Sequence, residues 1–427
     1  MVLVLCSTLL AACGNKETEG GTQTTNADDK VVITMAWWGS QTRHDATVAV
    51  IEMYEEQNPH IDIQYEFYDF DGYMVKLNTL APVDAVWDVF QIDNRFPNFI
   101  SDMEPLDNYV ESGLIDVSDT TESYLQTTTM DGQLWGISNG VNAYSIAYDP
   151  AILAEVGIAE PADNWTWTDF EEMAMTIQQE KNIYGMSFME PVIPMGLVGI
   201  PQEGVGLNFY DKESVSSELG FDDPNMLVDY IAMMGRMVEA GAYPDAGAIT
   251  EISGNVENDY LVQGEAGMTW VTTNQLNALT AAAGRELKLA SVPRKHADGE
   301  SGTSLRSSQQ LSIAANSEVK EEAAKFISFF ANDVEANKIL NGERGIPIMS
   351  KAREAVEANG DPAVQIAIDL IDKVSAEDNG TVNTFDSTAS SAIEEQARIF
   401  VDQVCYGEIT AEEAAKAIYE YALDRMK

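Results

Sequence analysis

Three short stretches of the chain end in residues suited to holding a hydroxylated ligand: Trp37 and Trp38, then Tyr68 and Asp69, then Asp93, Asn94 and Arg95. An aromatic ring offers an electron-rich face to the electropositive C–H face of a sugar. Asp and Asn accept from hydroxyls, and Asn and Arg donate to them. Taken together, the three sets point to a neutral, polyhydroxylated ligand. Taken singly, each residue has a plainer use, as rim packing for the aromatics or as turn and cap formers for Asp and Asn. Hydrolytic chemistry finds less support. No G-x-S-x-G stretch offers an elbow serine, and His44, His60 and His296 are scattered without metal-ligand spacing. Asp69-Phe70-Asp71-Gly72 lacks the further oxygen donors and closing Glu of a calcium loop, so it reads as a strand-end turn. The sequence calls for no catalytic residue, metal or cofactor. A glycosidase needs two carboxylates about 5 to 10 Å apart. With 70 acidic residues the count leaves such a pair open. A secreted carbohydrate-active enzyme, glycosidase or lyase, therefore stands as the alternative, beside a receptor for a cation such as a polyamine.

The elements that would position these residues follow from periodicity. Val31 to Trp37 alternates and is β-branched, Ile61, Ile63, Tyr65 and Phe67 alternate, and Trp87 to Ile92 is apolar, so each reads as a strand. Between them, Thr42 to Gln57 carries Ala46, Ala49, Val50, Met53 and Tyr54 at helical spacing until Asn58-Pro59 stops it, and a second helix is expected around Tyr73 to Ala81. The result is a βαβαβ layer of an open parallel sheet, whose ligands gather beyond the carboxyl ends of the strands. Further on, Met130-Asp131-Gly132-Gln133 reads as a hairpin turn, and Tyr144 to Tyr148 as a strand closed by Asp149-Pro150. Thr168 with Glu171 has capping-box spacing, beneath a staple of Trp165 and Trp167. Gly264 to Trp270 is a tight turn into a buried strand. Gln310 to Ala314 is a strand, followed by a helix capped by Ser317 that buries Ala323, Phe326, Ile327 and Phe330.

At 427 residues the chain exceeds the roughly 250 to 300 at which a single core stops growing, so two lobes are expected. A formal charge of -46, from 24 basic against 70 acidic side chains, excludes nucleic acid and anionic membrane surfaces as partners. The apolar run Met1 to Leu10 ends in Leu10-Ala11-Ala12-Cys13 and gives way to a polar stretch with linker composition. It resembles a bacterial lipoprotein signal: residues 1–12 are the leader, Cys13 takes the lipid, and 13–30 form a flexible tether. The leader is short of the about 20 residues of a membrane span. After processing only Cys405 remains in the body, which leaves no internal disulfide.

In order and spacing, the segments from about Val32 onward resemble the extracellular solute-binding proteins of family 1, the carbohydrate-binding lipoproteins of ABC importers. The carriers are Ala36-Trp37-Trp38-Gly39 with Arg43, Trp87-Asp88-Val89 leading to Gln91-Ile92-Asp93, and Asp131-Gly132-Gln133-Leu134-Trp135-Gly136-Ile137. Tyr148-Asp149-Pro150, Thr166 to Phe170, Gly264 to Met268 and Arg344-Gly345-Ile346-Pro347 continue the series. The resemblance implies an α/β, two-lobed periplasmic-binding-protein-like fold of type II, each lobe an open sheet flanked by helices. One lobe is expected from 31–140 plus 297–343 and the other from 141–296 plus 344–427. It further implies that Trp38 and Trp270 stack on sugar from opposite lobes, that Asp93 accepts from hydroxyls, and that Asn139, Asn142 and Arg43 lie nearby. The partners it implies are a mono- or oligosaccharide, an ABC permease, and the outer face of the cytoplasmic membrane through Cys13. A monomer is expected. Asp149, where the family more often has Asn, and Cys405 depart from the pattern.

Overall fold

The computed structural model describes residues 30–189, 223–252, 256–299, 303, 305–376 and 390–425. The leader, Cys13 and all of the tether except Lys30 lie outside them. Twelve strands follow in chain order among the described residues. They are β1 (Val31–Trp38), β2 (Ile61–Tyr68), β3 (Val89–Ile92), β4 (Thr129–Met130), β5 (Gln133–Leu134) and β6 (Ile137–Ser138). Then come β7 (Val141–Tyr148), β8 (Tyr184–Met186), β9 (Ala266–Thr272), β10 (Lys288–Ser291), β11 (Leu305–Ser307) and β12 (Gln310–Ile313).

The first sheet has the order β2-β1-β3-β12-β6, with β1 parallel to both β2 and β3. This is the expected βαβαβ unit, and its crossover helices are Gln41–Gln57 and Phe70–Leu80. β12 closes it antiparallel to β3. The second sheet runs β10-β7-β9-β8, and β11 pairs with β7 alongside β10. β4 and β5 form the expected hairpin around Asp131 and Gly132, both at positive φ as a tight two-residue turn requires. The chain is thus of α/β class, with two sheets flanked by helices.

Three local expectations need correction. The helix Trp167–Lys181 is capped by Thr166, which forms its capping box with Asp169, because Trp165 and Trp167 exchange backbone hydrogen bonds with Arg294 and hold the chain extended up to that point. Ser317 does not cap the helix Lys320–Asn332; its hydroxyl donates to Asp88 at 2.6 Å. The divisions at 297 and 344 also move. β11 belongs to the second sheet, so the chain returns to the first through Ser308 and Gln309. The helix Ser350–Glu357 packs with the helices Lys320–Asn332 and Val334–Leu340, whereas the helix Pro362–Ala376 packs on β7, β10 and β11, so the last passage lies between those two.

The passages touch backbone to backbone. Val141 and Ile346 exchange hydrogen bonds of 2.8 and 3.0 Å, and Gly140 lies so close that a Cβ there would stand 2.6 Å from the carbonyl carbon of Gly345. Arg344 is buried beside them. Its guanidinium donates to Gln91 and, at 2.8 Å, to Thr47, and it reaches Gln309 at 3.4 Å. A buried cation without such acceptors would carry a desolvation cost of several kcal/mol. The helix Gln41–Gln57 therefore turns Arg43, His44 and Thr47 inward along with Val50, Ile51 and Tyr54.

Candidate ligand-binding cavity

β7 starts where β9 ends, with Tyr144 opposite Thr272, and the end of β11 lies beside them, with Ser307 opposite Val141. Facing these strand ends is the carboxyl end of β3, which delivers Asp93, Asn94 and Arg95. Together they enclose a cavity of about 320 Å³. Asn142, Tyr144, Thr272 and Asn274 form its second-sheet wall, and the passage Ser307 to Gln309 forms its back. The helix Ser390–Cys405 lowers Glu394 and Arg398, one turn apart, into the remaining side. A second cavity of about 450 Å³ adjoins it through Tyr144 and Thr272, and its apolar lining includes Phe188, Trp270, Val271 and Leu279.

The charges in the first cavity hold one another. Arg95 donates to Asp93 at 2.5 Å, and its guanidinium lies 5.1 Å from the centre of the Phe70 ring. Arg306 lies 4.8 Å over the Tyr144 ring. With its carboxamide oxygen turned toward Arg306, Asn94 accepts from Nε at 3.0 Å and Nη2 at 2.5 Å. Burial pulls the Arg306 guanidinium down to about 10, with Asp93 and Glu394 opposing. Burial also pushes the Glu394 carboxyl up, against the pull of Arg306, Arg398 and Arg95. Aromatic faces, amides, hydroxyls and charges of both signs therefore converge on one cavity between the sheets. Among the described residues, no group of three or more His, Cys, Asp or Glu could hold a metal ion, and no helix is long and apolar enough to cross a membrane.

The model of a family described as bacterial extracellular solute-binding protein matches residues 49–366, well over half of the chain. The chain belongs to that family. Solved structures of solute-binding proteins share its fold. One is an extracellular solute-binding protein of family 1 from Alicyclobacillus acidocaldarius, at 24% identity and a TM-score of 0.70, covering 94% of this chain and 100% of that one. Another is a periplasmic oligogalacturonide-binding protein from Yersinia enterocolitica in complex with saturated digalacturonic acid, at 20% identity, 93% and 100% coverage, and a TM-score of 0.77. A third is an ABC substrate-binding protein from Listeria monocytogenes in complex with cycloalternan, at 18% identity, 93% and 99% coverage, and a TM-score of 0.76.

Against this solute-binding fold the residues singled out by sequence divide. Asp93, Asn94 and Asn142 line the first cavity, and Trp270 lines the second. Trp37 does not belong to the set: it is fully buried in the core, with Nε1 donating to His44 Nδ1 at 3.1 Å. Trp38 also stands apart. Consecutive strand residues face opposite ways, and Trp38 packs edge-on to Phe70 and against Tyr73, only 8% exposed and lining neither cavity. Trp38 and Trp270, expected to face each other across a crevice, do not both line either of these two cavities. Tyr68 donates to Glu66 at 2.7 Å, and Asp69 caps the helix Phe70–Leu80 through Gly72 N–H. Arg43 is buried, donating to the Glu343 carbonyl oxygen at 2.9 Å. Asn139 lies in the first passage, where its N–H donates to the Gln309 carbonyl oxygen. Tyr144, Arg306, Glu394 and Arg398 were missed. One signal was legible: Glu394 and Arg398 stand at i,i+4 on one helix, and a chain with only 24 basic residues has few to spare.

Proposed function

We propose that this solute-binding protein is the receptor of an ABC importer, taking a mono- or oligosaccharide into the cavity between its sheets and the pocket that adjoins it on the second sheet, and passing it on unaltered. The observation that carries this reading is the cavity at Asp93, Asn94, Asn142 and Tyr144, built by strand ends of both sheets and extended by the Trp270 pocket. Amides and hydroxyls there suit sugar hydroxyls, and the Tyr144 and Trp270 rings, 5.3 Å apart, suit the C–H faces of sugar units. The Yersinia and Listeria proteins of this fold bind saccharides, which supports the ligand class. A ligand touching both sheets binds the closed arrangement better than the open one, and that difference drives closure. Lipid on Cys13 would tether the receptor to the outer face of the cytoplasmic membrane, next to its permease.

The test is a thermal-shift screen of the full chain against mono- and oligosaccharides. A ligand held only by the folded state at about a hundred times its Kd adds roughly 2.7 kcal/mol, a clear rise in melting temperature. Stabilisation by spermidine alone, or release of reducing ends from a bound oligosaccharide, would overturn the reading.

A further inference from the structure

The Trp270 pocket, of about 450 Å³, falls in the size range that buries small ligands. Its wall is mostly carbon: Phe188, Ile252, Val256 and Leu279 stand beside the Tyr144 and Trp270 rings. The carboxylate and carboxamide oxygens that line it are already engaged. Asp259 accepts from the Thr269 hydroxyl and the Leu261 N–H, both at 2.8 Å, and also from the Ser187 hydroxyl and the Val262 N–H. Together these donors fill the roughly four lone-pair sites of a carboxylate. Gln275 Oε1 accepts from the Thr272 N–H at 2.8 Å and lies 3.1 Å from the Thr272 hydroxyl, which also reaches Asn274 Oδ1 at 2.8 Å. A sugar hydroxyl entering here would give up water and find neither oxygen open to its proton. Donors remain. Among the described residues no hydrogen bond takes up the Trp270 indole N–H or the Tyr144 hydroxyl, on side chains only 7% and 6% exposed. Such a pocket suits a group with a methyl for the apolar wall and a carbonyl oxygen for the donors, which is an acetyl group.

We propose that the ligand is an acetylated saccharide, whose hydroxyls are held in the first cavity and whose acetyl group, carried on nitrogen or oxygen, enters the Trp270 pocket with its methyl on the apolar wall and its carbonyl oxygen between the Trp270 indole N–H and the Tyr144 hydroxyl. This rests on the cavity and its adjoining pocket being the sugar site, and it narrows the ligand class of that reading.

The experiment is calorimetric titration of the full chain with N,N′-diacetylchitobiose against cellobiose, which has hydroxyls in place of the acetamido groups, and with acetylated against unacetylated xylobiose, repeated with other such pairs. In at least one pair the acetylated sugar should bind ten-fold or more tighter, as a methyl in a fitted apolar pocket allows. Whether it is an N-acetyl or an O-acetyl pair identifies the linkage. Val256→Thr keeps the side-chain shape, places a hydroxyl in the pocket and should cut that preference several-fold. Trp270→Phe keeps a ring, removes the indole N–H and should weaken the acetylated sugar several-fold more than its partner; if it folds poorly, Val256→Thr gives the reading. Unacetylated sugars binding as tightly as their acetylated partners in every pair, or a preference unchanged in both variants, would overturn this inference and leave the carbohydrate receptor standing. Binding of neither kind, with a non-sugar ligand raising the melting temperature, would overturn both.

Discussion

Trp37 and Trp38 show what a residue type says and what it omits. Both aromatics close β1, and composition alone makes them equal candidates for stacking, but a strand sends neighbours to opposite faces. Trp37 enters the core under the helix Gln41–Gln57. Its truncation to Ala should cost about 3–5 kcal/mol in denaturant unfolding, as for other large buried aromatics, with saccharide affinity unchanged in the protein that folds. Trp270 should behave otherwise. It is 7% exposed and packs on Tyr144, so Trp270→Ala should lower both stability and affinity; an unchanged affinity would remove it from the site. Asp93 and Asn94 stand out as candidates because they follow a strand end, whereas Asn142 is pointed to only by the family resemblance. Arg306 was not legible, since its place in the cavity depends on β11 joining the second sheet, a pairing made across a long sequence separation. Glu160 gives a pH prediction at the same scale. Hydrogen bonds from Lys288 and Tyr148 hold its carboxyl below the usual range. The stabilisation is therefore complete above the unfolded value of about 4.3 and is lost as pH falls through the lower folded one. Glu160→Gln should lower the melting temperature at pH 6, and the gap to the parent should close as the pH falls through the lowered folded value.

At the scale of elements, periodicity found most strands and helices but misplaced their ends. Thr166 and Thr168 offer the same chemistry two residues apart. Trp165 decides between them: it is buried, with Nε1 donating to the Ser291 carbonyl oxygen at 2.7 Å, and Arg294 pairs with the backbone on either side of Thr166. No local pattern encodes that tertiary clamp. Thr166→Ala should cost about 1 kcal/mol by loss of the cap, and Thr168→Ala at its exposed position at most about 0.5. Equal losses would mean that the helix begins later. Gly185 shows packing of the same kind. A Cβ there would meet the Ala174 backbone at 2.3 Å, so the helix Trp167–Lys181 can lie on β8 only because that position is bare.

For the whole molecule, the topology of the first layer could be read from periodicity, but the places where the chain passes from one sheet to the other leave no mark in composition or spacing. β11 and β12 are separated by two residues yet lie in different sheets. Nothing in their composition marks the switch. At the crossing, the Val141 and Ile346 passages are joined by two backbone hydrogen bonds, and Gly140 and Gly345 allow the contact. Gly345 has φ +95, a conformation open to glycine at little cost. Closure about a ligand would bend the chain here, where few residues connect the sheets. A methyl group at Gly140 has backbone on its far side within 3 Å and no flexible side chain to displace. Gly140→Ala should therefore force the passages apart, lower the melting temperature, and reduce the ligand-induced fall in radius of gyration measured by small-angle scattering. A variant that melts like the parent and contracts as fully on adding saccharide would show that the two passages do not set the bending axis.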